Sequence, residues 1–83
     1  MTEPDTLASL VRLVAEIAEL PIATVRPEGR IAGYGIDSVR AVELAVRGEE
    51  TFGVQVDEAA LAAAAPRTVR DLAAFVERLR AAR

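Results

Sequence analysis

Apolar residues recur every three to four positions in three separate stretches of this chain, and no stretch alternates with the two-residue period of a strand. The first runs through Leu7, Leu10, Val11, Val14, Ile17 and Ala18, the second through Ala41, Leu44, Ala45, Gly48 and Phe52, and the third through Val69, Leu72, Ala73, Val76 and Leu79. Each pattern places one apolar face on a helix. With 83 residues the chain is expected to form one domain over residues 1–83. At that size only about 60% of the unfolded surface is buried. The fold class is therefore all-α, with a thin core.

Helix boundaries follow from the punctuation. A first helix is expected from about Asp5 to Glu19, ended by Pro21, because proline disfavours helical geometry in the residue before it. The 16 residues from Pro21 to Ile36 hold two prolines and three glycines with no sustained period, which is long for a connection in a compact domain. Ile22, Val25, Ile31 and Tyr34 are expected to pin this segment to the bundle as an ordered crossover, and Gly33 and Gly35 to permit a bend into the next helix. A second helix from Ser38 to about Thr51 stops at Phe52-Gly53, and a short alanine-rich helix follows over about Asp57 to Ala64, with Leu61 its sole large apolar residue. The latter should be the least stable element. Thr68 and Asp71 form a capping box for a last helix over about Val69 to Leu79.

The chemistry available is narrow. The chain has no cysteine and no histidine, which removes disulfides, cysteine-based metal sites and the commonest general base. No catalytic or metal-ligating residue is expected. No apolar run approaches the roughly 20 residues that span a bilayer, and the start lacks the features of an export signal. A cytoplasmic protein without membrane contact is expected, and Met1 with no flanking linker points to a free-standing one.

Charge is unevenly spread within the net −3. From Gly35 to Glu58 six acids face Arg40 and Arg47, giving −4, whereas from Arg67 to Arg83 five arginines face Asp71 and Glu77, giving +3. An acidic middle repels nucleic acid and attracts basic protein partners. The same charges could also do no more than solvate a helix.

The second helix is the informative one. Besides its core stripe it carries Val39, Val42 and Val46 on an offset path, bordered by Asp37, Arg40, Glu43, Arg47 and Glu50. A surface helix needs one apolar stripe to face a core, so the second is either an interface or part of a wide buried face. Gly48 leaves a gap in the core stripe at a cost of roughly 0.5 to 1 kcal/mol relative to alanine. Ser38 stands where the glycine-containing approach gives way to helix, which should expose its hydroxyl at a helix N-terminus. Taken alone, Asp37-Ser38 reads as a cap.

Gly35-Ile36-Asp37-Ser38, then Ala41-Val42-Glu43-Leu44, Phe52-Gly53-Val54 and Thr68-Val69-Arg70-Asp71-Leu72, set in this order of helices, resemble the acyl carrier proteins over nearly the whole chain. The resemblance implies an acyl-carrier-like bundle of three main helices plus a short third helix, with a long loop between the first two. It implies 4'-phosphopantetheine, derived from coenzyme A, esterified to Ser38 beside Asp37, and an acyl group held as a thioester on the arm. It further implies a non-catalytic monomer whose partners are a phosphopantetheinyl transferase and an acyltransferase, ketosynthase or other acyl-processing enzyme. The family's recognition surface maps onto Val39, Arg40, Val42, Glu43, Val46, Arg47, Glu49 and Glu50. Ala41-Val42-Glu43-Leu44 with Arg47, and Pro66 leading into Thr68 to Ala73, are similar to polyketide synthase carriers. Val39, Tyr34 and Gly48 stand where that family usually has leucine, and Gly48 would leave room for an acyl chain or for another side chain. A peptidyl carrier of a nonribosomal synthetase would use the same serine, although the aliphatic Ile36 favours an acyl carrier. A helical protein-interaction domain without cofactor is the reading of another class.

Overall fold

The computed structural model describes residues 5–82. Within them the chain forms four α-helices: α1 (Thr6–Ala18), α2 (Ser38–Phe52), α3 (Glu58–Ala64) and α4 (Val69–Ala82), with short 3₁₀ turns at Ile22–Thr24 and Ala32–Tyr34 in the connection after α1. No described helix is long and apolar enough to cross a membrane.

Helix α1 is the central element, packing against both α2 and α4. Asp5 caps it by accepting from the Ala8 N–H at 3.2 Å. Its end is set before Pro21 is reached. Glu19 turns left-handed at φ 58°, and the Leu20 N–H returns to the Ala15 carbonyl at 2.9 Å, so the last turn closes on itself. Leu10, Val14 and Val69 are the most deeply buried large side chains, with Ile17, Leu44, Phe52 and Val76 packed around them. The start of α1 is tied to the end of α4 through buried Thr6, which donates to Glu77 and accepts from Arg80 at 2.6 Å.

Helix α4 begins as the capping box requires. The Asp71 N–H donates to Thr68 Oγ1 at 3.0 Å, and the Asp71 carboxylate accepts from the N–H groups of Thr68 and Arg67. It runs three residues past Leu79, to Ala82. Helix α3 buries none of its side chains fully.

The crossover is ordered by backbone pairing as well as by apolar residues expected to hold it. Ile31 N–H donates to the Arg67 carbonyl, Val69 N–H to Gly29 and Arg70 N–H to Pro27, at 2.8 to 3.1 Å, and Arg70 pairs with Glu28 at 2.8 Å. Val25 is buried and Ile31 and Tyr34 are partly so, packed against the core, whereas Ile22 is 50% exposed. The 3₁₀ turn at Ile22–Thr24 is closed by the Thr24 N–H donating to the Pro21 carbonyl and the Val25 N–H to the Ile22 carbonyl, at 3.0 and 3.1 Å.

Candidate functional site

Local geometry delivers Ser38 to the surface. Gly35 adopts φ 78°, a left-handed conformation that glycine takes without strain, and the chain reverses there into α2. Ile36 is buried and fixes the approach, while Asp37 caps α2 by accepting from the Arg40 N–H at 2.9 Å. Ser38 is the first helical residue and is exposed, and its hydroxyl has no hydrogen-bond partner among the described residues. The N–H groups of Ser38 and Val39 likewise have no acceptor there. Free N–H groups and the helix dipole together favour an anion at this point by roughly 0.3 to 1 kcal/mol. A phosphodiester on Ser38 fits these surroundings.

The offset stripe of α2 is an exposed face and not part of a wide buried one. Val39, Val42 and Val46 are 76%, 63% and 48% exposed. Glu43 and Glu50 stand beside them in solvent, without an ion pair among the described residues. The other charged residues expected on this face are engaged elsewhere. Arg40 reaches Glu19 at 3.4 Å and Arg47 reaches Glu16 at 2.5 Å, so both guanidinium groups lean towards α1. Glu49 accepts from the Val56 N–H at 2.7 Å and ties the end of α2 to the chain leading into α3. Arg40, Arg47 and Glu49 are thus structural ties as well as surface charges. The acids near the end of α1 were the available signal for the first two; the Glu49 tie has none, because it depends on how the chain turns after Gly53.

Behind this face lies a partly enclosed apolar cavity of about 230 Å³. Ile36, Ala41, Leu44 and Gly48 line one side, with Leu61 of α3 and Phe75 of α4 opposite. Gly48 is buried, yet a Cβ placed on it would meet no atom within 4 Å. No other side chain has moved into the gap. The walls contributed by Leu61 and Phe75 were not foreseen, since neither the third nor the fourth helix announces which residue faces α2.

The chain matches the family model for the phosphopantetheine attachment site over residues 8–76. It is 32% identical over 79 residues to a meromycolate extension acyl carrier protein of Mycolicibacterium smegmatis, covering 94% of this chain and 78% of that one. It is also 32% identical to an acyl carrier protein of Thermobifida fusca, covering 93% of this chain and 96% of that protein. A third relative, acyl carrier protein 3 of Ralstonia nicotianae, is 31% identical over the whole of this chain and 94% of its own length.

Proposed function

Because this chain belongs to the acyl carrier protein family, non-catalytic proteins that bear a covalently attached 4'-phosphopantetheine, we propose that Ser38 is the residue that carries the group. The observation that supports this choice is the exposed, unpartnered Ser38 hydroxyl at a helix start whose first two N–H groups are free. Asp37 holds that helix start in place. The group supplies a thiol, and with it thioester chemistry, to a chain that has no cysteine. The chain itself contributes position: tethering an acyl group makes its delivery to a partner enzyme nearly intramolecular.

Partner enzymes dock on the face that follows the serine. Val39, Val42 and Val46 supply apolar contact, and Asp37, Glu43 and Glu50 supply a negative border that attracts basic partners such as a phosphopantetheinyl transferase, an acyltransferase or a ketosynthase. Arg40, Arg47 and Glu49 frame this face while holding α2 to α1 and to the chain beyond it.

The pathway is polyketide or related secondary-metabolite assembly, on the strength of Ala41-Val42-Glu43-Leu44 with Arg47 and of the segment from Pro66 to Ala73. A second reading, elongation of long alkyl chains, is favoured by the names of the mycobacterial relatives.

Incubation with coenzyme A and a phosphopantetheinyl transferase tests the site. The wild type is expected to gain one phosphopantetheine in mass and Ser38→Ala none. A modified Ser38→Ala would place the attachment elsewhere.

A further inference from the structure

We propose that the groove between α1 and the crossover is a second docking site, which takes an acidic amphipathic helix of a partner protein and holds the carrier while Ser38 and the α2 face stay free. This goes beyond the carrier reading and does not depend on which residue bears the cofactor.

The groove is open and about 400 Å³ in volume, lined by Leu7, Val11 and Arg12 of α1 and by Ile22, Val25 and Pro27 of the crossover. No residue of α2 contributes to it. Leu7 and Val11 are only partly buried, and Ile22 is 50% exposed. Single exposed aliphatic residues are ordinary on a protein surface. Ile22 is not single, because it shares one groove with two more aliphatic side chains that the core leaves partly uncovered.

Charge then selects the occupant. Every acid from Asp5 to Ile36 is engaged: Asp5 accepts from the Ala8 N–H, Glu16 pairs with Arg47, Glu19 with Arg40 and Glu28 with Arg70. Arg12, which lines the groove, and Arg26, set between the lining residues Val25 and Pro27, have no ion pair among the described residues. The charge left uncompensated on this side is therefore positive, whereas Glu43 and Glu50 leave the α2 face negative. The two faces attract partners of opposite sign. An apolar groove bordered by cations suits aliphatic residues at helical spacing flanked by carboxylates, the helix-in-groove mode of recognition. From Asp5 to Arg12 the chain advances about 10 Å along the α1 axis, room for two turns of such a helix. A partner bound here keeps the carrier at high local concentration without covering its serine, so a second enzyme can take the acyl group while the first retains the protein.

The test uses the full chain, isotope-labelled for amide NMR, and a probe peptide of about 14 residues, four helical turns, with leucine at i, i+3 and i+7 and glutamate on either side. Shifts should move at Leu7 to Arg12 and at Ile22 to Arg26, and those of α2 should not. Ile22→Ser, Arg12→Glu and Arg26→Glu should each weaken binding several-fold, the two charge reversals much less at high salt. The same peptide with lysine in place of glutamate should bind several-fold more weakly. Loading of the chain by a phosphopantetheinyl transferase should proceed at an unchanged rate with the peptide bound. No shift at about 1 mM peptide, shifts centred on α2, equal binding of the lysine peptide or slowed loading would overturn the proposal. Shifts at the groove that grow with protein concentration alone and vanish in Ile22→Ser would assign it to a second copy of this chain, and would overturn the proposal equally.

Discussion

The hydroxyl oxygen of Tyr34 occupies the place where a side chain on residue 29 would be. A Cβ added to Gly29 would lie 1.9 Å from it. The same oxygen accepts from the Arg26 N–H at 2.8 Å, and the Gly29 carbonyl accepts from the Val69 N–H at 3.1 Å. Tyr34 therefore closes the crossover on itself, and Gly29 passes that closure on to the start of α4. Tyr34 is thus paired with a glycine that makes room for its hydroxyl.

Gly29→Ala is expected to destabilise the protein by about 1 to 3 kcal/mol, the usual cost of overpacking. In urea denaturation the additional change Tyr34→Leu should recover at least about 0.5 kcal/mol of that loss, because the two residues share one space. Additive losses would show that the clash is relieved by movement of the loop instead.

The acids of α2 should separate into two groups. Glu49→Ala leaves the Val56 N–H without its acceptor and should cost about 1 to 2 kcal/mol of stability. Glu43→Lys and Glu50→Lys, both exposed, should change stability by less than about 0.5 kcal/mol. They should instead weaken binding of a phosphopantetheinyl transferase several-fold at low salt and much less at high salt. Equal weakening at both salt concentrations would rule out electrostatic recognition through these two residues.

Acid should loosen the start of α4 first. The backbone N–H groups of Thr68 and Arg67 hold the Asp71 carboxyl below its ordinary 3.8, and the Arg70 guanidinium holds Glu28 below 4.5. Both groups thus bind a proton less readily folded than unfolded. Their contribution is complete above those ordinary values and disappears as pH falls through the lowered ones. Asp71→Asn should flatten the loss of stability as pH falls below Asp71's ordinary value, measured by chemical denaturation.

Local patterning was enough to place every helix. Periods of three to four, Asp5, Asp37, Asp57 and Thr68 at helix starts and Gly53 after a helix end are short-range signals, and each acts through backbone groups within a turn of itself. Ser38 was legible for the same reason: Gly35 and Asp37 fix its exposure locally. That Val39, Val42 and Val46 form a second stripe was also visible, but whether the stripe lies in solvent depends on where α1 and α4 sit against α2.

Sequence alone thus determined the helices, the serine placed at the start of α2 and the absence of histidine and cysteine, because these depend on residue identity and near neighbours. Only the tertiary structure decided which faces stay exposed, that Glu49, Arg40 and Arg47 serve as ties, and that Gly48 opens on a cavity walled by Leu61 and Phe75. Those outcomes join residues distant along the chain. They are set by how a thin core is divided among four helices and a crossover docked on the start of α4.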